Sequence, residues 1–280
     1  MRRLLYLIPT LWLISLVVFV VIHLVPGDPT AFLIPADQQQ DPVLREAFKK
    51  VWGLDKPLYL QYLYWISNIL QGNFGKSFLL GQNVRELLME RIPLTFALTT
   101  YSMIIALFIA IPSGIIAAVK RNTRLDYGVM VFALLGVSIP GFWLALILIL
   151  IFALKLGWFP SIGYVNLSDN FLAGIGHLTL PALTLGAALA AVITRMLRSS
   201  MLEELNKEYV RTARAKGLKE NLVIFKHALK NAVLPVVTIL GLSIPGLIGG
   251  SVIFESIFSI PGMGRLFYES VMARDYPVIM

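Results

Sequence analysis

"EYVRTARAKGLKENLVIFKHALKNAVLP", residues Glu208 to Pro235, sets a dense run of basic residues between two long apolar stretches. Its apolar residues keep helical spacing: Val210 and Ala213 before Gly217, then Leu222, Phe225, Leu229 and Ala232 after it. Lys207, Arg211 and Arg214 make one basic stripe and Lys226 and Lys230 another. The spacing predicts a helix, a break at Gly217 and a second helix. Gly217 stands where a helix end needs a left-handed residue, and Arg214 and Lys216 suit the negative end of the preceding helix dipole.

On either side of this hairpin the chain is built for lipid. Of 280 residues, 57% are hydrophobic and 14% charged, and the mean hydropathy is +0.76, against about 25% charged in a soluble domain. Leu4 to Val25 is a run of 22 residues without a formal charge, long enough to cross a hydrocarbon core of about 30 Å. Arg2 and Arg3 ahead of it resemble the charged start of a signal peptide, but the run is too long and no small-residue cleavage pattern follows, so an uncleaved anchor is expected. Further spans are expected over Pro93 to Val119, Gly128 to Leu154, Leu178 to Thr194 and about Val236 to Phe254, five in all.

Three domains follow: residues 1–25 as an N-terminal transmembrane helix, 26–92 as a cap segment, and 93–280 as a membrane core carrying the basic loop 195–235. In the cap, "LREAFKKVWGL" and "LYLQYLYWISNIL" read as short helices at or near the interface. The loop from Arg195 to Lys230 holds nine Lys and Arg, Lys120, Arg121 and Arg124 follow the second span, and the loop from Lys155 to His177 holds Lys155 alone. The positive-inside rule therefore sets the N-terminus and both basic loops in the cytoplasm and the cap outside.

Several chemistries are excluded early. Cysteine is absent and the three histidines, His23, His177 and His227, are scattered, so no metal site is expected. Membrane lipid would attract the basic hairpin, each surface Lys or Arg contributing about 1 kcal/mol. Nucleic acid is set aside, because Tyr209 and Phe225 are isolated and no stacking platform interleaves the charges. A cytoplasmic protein partner remains, for which a short rigid hairpin is a natural lever.

The residues carry a resemblance at this point. "RTARAKGLKENLVIFKHAL" resembles the EAA loop of ABC importer permeases, whose short coupling helices dock into a groove of the ATPase subunit. "YVRTARAKGL" followed by "HALKNAVLP" is similar to the first permease of the dipeptide, oligopeptide and nickel importers. Arg211 stands at the motif's Glu, Thr212 and Ala213 at its two Ala, Gly217 at its Gly, His227 at its Ile, Leu229 at its Leu and Lys230 at its Pro. "HLVPGDP", "GLDKPLYLQYLYW", "GNFGKSF", "AAVKRNTRLDY", "TRMLRSSMLEEL" and "ESIFSIPGMGRL" resemble the same branch in family order, so the likeness covers nearly the whole chain.

The resemblance implies an all-α polytopic membrane protein, the transmembrane domain of a type I ABC importer, in the bacterial or archaeal cytoplasmic membrane. Family members continue through another span after "RDYPV", so with five spans here a truncated sixth is expected. It also implies partners: a second homologous permease, two ABC ATPases that hold ATP and Mg, an extracytoplasmic solute-binding protein, and a peptide substrate. The chain itself would carry no cofactor and catalyse no reaction. The candidate ATPase-docking residues are Arg211, Thr212, Ala213, Arg214, Ala215, Gly217, Leu218, His227 and Leu229, on coupling helices over about Glu203 to Ala215 and Lys219 to Lys230.

Helix breakers inside the spans favour a bundle with an internal path. Ser138, Pro140, Gly141, Ser243, Pro245 and Gly246 are the candidates for lining it. Glu255 is the one carboxylate at the edge of a span; it either pairs with Arg265 or solvent at the outer interface or belongs to an external gate. "GNFGKS", Gly72 to Ser77, looks like a fragment of a phosphate-binding loop but lacks its first glycine, since position 70 is Leu70, and reads as a chance match. A nickel chelate or glutathione are the alternative substrates within the family. A remote enzyme alternative, an intramembrane serine protease, would use the Gly-x-Ser fragments at Ser138 or Ser243 with His177.

Overall fold

The computed structural model describes residues 2–24 and 55–280, with positions 43 and 46. In chain order the helices are α1 (Arg2–Leu24), α2 (Leu58–Leu70), α3 (Val84–Val119), α4 (Arg124–Ser138), α5 (Gly141–Leu148), α6 (Phe171–Leu205) and α7 (Glu208–Ala215). Then come α8 (Glu220–Leu222), α9 (Leu229–Ala232), α10 (Leu234–Ile257), α11 (Met263–Ala273) and α12 (Tyr276–Ile279). Two π-helical stretches extend this set: Ile149–Lys155 continues α5, and Val223–Ala228 joins α8 to α9. The isolated bridge Lys76–Asn83 is the one extended pairing among the described residues. The expected helix on "LREAFKKVWGL" lies, apart from Glu46, outside them.

The described chain forms two compact units, Met1–Arg91 with Leu266–Met280, and Ile92–Arg265. In the first, α2 meets α1 through aromatic rings: the Phe19 ring lies 5.3 Å from Tyr62 and 5.9 Å from Trp65. Hydroxyls of Ser15 and Tyr62 stand 2.8 Å apart, which satisfies two polar groups at the side of an apolar span. Asp275 is buried and accepts from the Ser77 hydroxyl, from Phe78 N–H at 2.9 Å and from Leu79 N–H at 3.3 Å. "GNFGKS" thus ends in a turn whose serine and following amides are held by the chain's own carboxylate.

In the second unit α6 is the axis, packed by α4, α5 and α10. Leu180, Ile193, Leu197 and Met201 are fully buried along it. Between apolar helices in lipid, close packing rather than water exclusion holds the contact, so small residues are needed where backbones meet. Gly186 shows why: a Cβ there would stand 2.6 Å from the Ser102 carbonyl oxygen of α3. Gly136 of α4 similarly faces Ala191, at 3.2 Å from the place of a Cβ. Asn170 caps α6 by accepting Ala173 N–H at 3.1 Å. The helix runs well beyond the expected Leu178 to Thr194, so the first part of the loop 195–235 is a straight continuation of a span.

Of the helix breakers expected along the path, one pair breaks its span and the other does not. The single span over Gly128 to Leu154 is broken: α4 and the helix over Gly141–Lys155 meet at 106°. Pro140 has no N–H for the ladder and forces Ile139 before it into extended backbone, φ −77° and ψ 125°. In α10, by contrast, Pro245 and the glycines around it leave one continuous helix from Leu234 to Ile257. A proline removes one ladder bond but ends a helix only where the chain beside it leaves the helical region, as Ile139 and Pro140 do and the residues around Pro245 do not. By length and apolarity the described residues hold four candidate spans, or five when the bent pair is counted as one.

Candidate functional site

The basic hairpin is a compact, internally satisfied element. Gly217 has φ +76°, Gly217 N–H donates to Arg214 O at 2.9 Å and Leu218 N–H to Ala213 O at 3.4 Å. This is the paired 5→2 and 6→1 closure of a Schellman end, and Leu218 packs back on Val210, Ala213 and Val223 as that motif requires. Arg214 reaches across the break to Glu220, Nη2 to Oε1 at 2.7 Å and Nε to Oε2 at 3.1 Å. That bond holds the Glu220 carboxyl below the usual range and raises Arg214 further.

The second half of the hairpin divides its apolar residues between an inner and an outer face. Its π-helical turn inserts extra residues per turn, so Val223, Ile224, Ala228 and Ala232 face inward. Leu222 and Phe225 are 42% and 57% exposed, open to a partner. Of the docking candidates, Arg211, Thr212, Arg214, Ala215 and Gly217 are exposed, Leu218, His227 and Leu229 are half-buried, and Ala213 is buried inside the hairpin.

Three residues that the spacing did not single out tie the hairpin to the membrane core. Glu204, buried at the end of α6, accepts from the Lys207 ammonium and the Tyr209 hydroxyl. Asn231 of α9 donates to the same hydroxyl at 3.1 Å. Burial and the Glu204 bond raise the Tyr209 phenol, and the Glu204 bond raises Lys207. Tyr209 looked isolated in the sequence because its partners, Glu204 and Asn231, arrive from two other helices, α6 and α9.

Further along the core, Arg198 of α6 clasps Asp126 of α4, Nε to Oδ1 at 2.6 Å and Nη2 to Oδ2 at 2.7 Å. The same carboxylate accepts Asn122 N–H at 3.0 Å, fixing the turn between α3 and α4, where Asn122 itself has φ 61°.

A cleft of about 390 Å³ opens between α4, α5, α6 and α10. Gly141, Ser243 and Gly246 of the path candidates line it, while Ser138, Pro140 and Pro245 do not. The sequence missed its α6 wall, where Thr184, Ala187, Ala188 and Val192 contribute, and Phe254. The polar side chains of the lining are turned back on their own helices: Thr184 Oγ1 donates to Pro181 O at 2.7 Å, and Ser243 Oγ to Ile239 O at 2.7 Å. His177 donates through Nδ1 to Gly163 O at 3.2 Å. No group of metal-ligating side chains gathers among the described residues.

Glu255 is fully buried rather than at a solvated interface. Its Oε1 accepts Thr95 Oγ1 at 2.6 Å and Ser251 Oγ at 3.0 Å, and its Oε2 accepts Arg265 N–H at 2.9 Å. Thr95 Oγ1 in turn accepts Met263 N–H at 2.8 Å. Gly262 carries no Cβ because one would overlap the carboxylate, 2.3 Å from Glu255 Cδ. The loop after α10 is threaded on this side chain.

Comparison with known proteins agrees with this geometry. Residues 110–280 match the family model described as Binding-protein-dependent transport system inner membrane component, and residues 1–99 match Binding-prot-dependent transport system membrane comp, N-term. The chain is 48% identical to the oligopeptide transport system permease protein AppB of Bacillus subtilis (strain 168), over 100% of this chain and 89% of that protein. It is 44% identical to the glutathione transport system permease protein GsiC of Escherichia coli (strain K12), over 99% of this chain and 88% of that one. Among solved structures, the MetNI methionine ABC transporter in an inward-facing form shares the fold, with a TM-score of 0.54 at 23% identity over 66% of this chain and 81% of that one. With its matched models, its full-length relatives and its broken-span helical bundle, the chain belongs to the family of inner-membrane permease components of binding-protein-dependent ABC importers, which are transport proteins rather than enzymes.

Proposed function

We propose that this chain is the permease half through which di- or oligopeptides cross the cytoplasmic membrane, driven by ATP hydrolysed on separate subunits. The observation that carries this reading is the full-length similarity to a relative named as an oligopeptide permease. The cleft supports it: its lining is neutral and its polar side chains are already bonded, so it grips no particular side chain and leaves selection to a solute-binding protein outside. The remaining partners are a second homologous permease and two ATPases with their ATP and Mg. The N-terminus and the hairpin are assigned to the cytoplasm and residues 26–92 to the outside, on the balance of basic residues.

The hairpin is assigned to ATPase docking through its exposed side, Arg211, Thr212, Arg214, Ala215 and Gly217, with Leu218, His227 and Leu229 at its margin. Ala213 contributes from inside, by holding α7 against Val223. Gly141, Ser243 and Gly246 are assigned to the path, and Glu255 to the external gate as the pin that fixes the outer end of α10.

Glutathione is the second reading, favoured by the relative named for it; being a tripeptide, it offers the same backbone groups. The test is ATP-dependent uptake by vesicles holding the complete transporter, with labelled dipeptides, longer peptides, glutathione and a nickel chelate compared through the same binding protein. Peptide uptake that stops without ATP is expected; uptake of none of the peptides sinks the reading.

A further inference from the structure

We infer that Phe254, seated on Gly141, is the steric gate closing the end of the cleft that faces away from the basic hairpin. The inference rests on the permease reading and names a residue for its outer gate.

Phe254 lies three residues before the end of α10, whose other end, at Leu234, leaves the hairpin. It lines the cleft while remaining buried. Opposite stands Gly141, the first residue of α5, immediately after the 106° bend. A Cβ on Gly141 would meet Phe254 Cζ at 2.8 Å, so the ring occupies the space that any other residue would fill. At this end the cleft is closed by one aromatic edge against one bare backbone.

The two sides of that contact belong to differently held parts. The residue after Phe254 is Glu255, bonded to Thr95 of α3 and to the Arg265 N–H in the first turn of α11, so the ring rides on a fixed body. Gly250, one turn earlier, lies against Leu185 of α6, which joins that helix to the same body. Gly141 rides on α5, which packs along α6 but carries none of the Glu255 bonds and is joined to α4 only through Ile139 and Pro140, where no regular helix resists rotation. A change in the bend lifts Gly141 off the ring and opens the cleft, without breaking any hydrogen bond of the Glu255 cluster. An apolar contact suits the task, since it can part and re-form with no polar group left bare.

The chain contains no cysteine, so Ser243→Cys places one reporter inside the cleft of the otherwise native protein. In right-side-out vesicles holding the assembled transporter, a membrane-impermeant maleimide is added from outside and the labelling rate measured. Phe254→Ala is expected to raise that rate at least about tenfold, as loss of a packed ring shifts the closed–open balance. Phe254→Leu gives an intermediate rate. Adding Gly141→Val to Phe254→Ala refills the space and restores most of the protection. Unchanged labelling in Phe254→Ala or Phe254→Leu, in protein that still assembles with its ATPases, overturns the gate; so does failure of Gly141→Val to restore protection. ATP-driven peptide uptake by the unsubstituted transporter is scored separately, so loss of the permease reading and loss of the gate are distinguishable.

Discussion

Arg198 and Asp126 form a two-pronged ion pair, 2.6 and 2.7 Å, between the hairpin-side end of α6 and the first turn of α4. The carboxylate side chain is 2% exposed and the guanidinium 24%, so removing one partner strands the other away from water. Asp126→Ala is expected to destabilise the purified protein by about 3 kcal/mol, read as a lowered thermal midpoint in detergent. The apolar double replacement Asp126→Leu with Arg198→Met should cost less than Asp126→Ala alone, because no charge is left unpaired.

Gly217 gives a different kind of defect. Nothing lies within 4 Å of a Cβ there, so the penalty of Gly217→Val is backbone strain alone, about 1–2 kcal/mol for a β-branched residue at positive φ. Insertion into the membrane should be unaffected while ATP hydrolysed per peptide imported rises; Gly217→Asn, which tolerates the left-handed region, should behave nearly as the parent. Normal coupling in Gly217→Val would count against the docking assignment.

Gly186 and Gly246 form a matched pair for packing. Gly186→Ala drives a methyl group against the Ser102 carbonyl oxygen, whereas at Gly246 the added methyl meets no atom within 4 Å. The first should lose about 1–3 kcal/mol and much of its monodisperse yield. The second should purify like the parent, and size-exclusion profiles of the two decide the matter.

Leu222→Ala and Phe225→Ala remove exposed side chains and should leave the thermal midpoint unchanged, yet reduce recovery of the ATPase on co-purification. Val223→Ala, inside the hairpin, should do the reverse and lower stability first. Equal ATPase recovery in all three would show that the apolar pair is not part of the docking surface.

The Arg214–Glu220 bond makes a prediction about acid. Glu220 is held below the ordinary carboxylate range, so its contribution is present above the unfolded value near about 4.3 and is lost as pH falls through the lower folded value. Both side chains are about half in water, which limits the effect to at most about 0.5 kcal/mol. Glu220→Gln should therefore slightly flatten the drop in thermal midpoint between pH 5 and 3, and leave pH 8 nearly unchanged.

Much of this was legible because some residues carry their own instruction. Gly217 could be assigned a left-handed helix end from its neighbours alone, and the structure has it at φ +76°. Pro140 and Pro245 look alike in sequence, each beside a glycine in an apolar run, yet the first breaks its span and the second does not. Both prolines are exposed, and the spacing around them does not tell the two outcomes apart. The π-helical turn at Val223–Ala228 left no mark in the spacing either; it turns Val223, Ile224 and Ala228 inward and leaves Leu222 and Phe225 at the surface. Glu204, Tyr209 and Asn231 were missed because their partnership exists only after α6, α7 and α9 have met.

The Asp275 clasp sets an order of events during synthesis. Ser77, Phe78 and Leu79 leave the ribosome 198 residues or slightly less ahead of the carboxylate that holds them. At about 5–20 residues per second that is a wait of about 10–40 s. During it the second unit's spans, Ile92–Arg265, are made in full. The first unit is thus begun before the second and completed after it, and its turn can lock only once the whole stretch between its two halves has been synthesised.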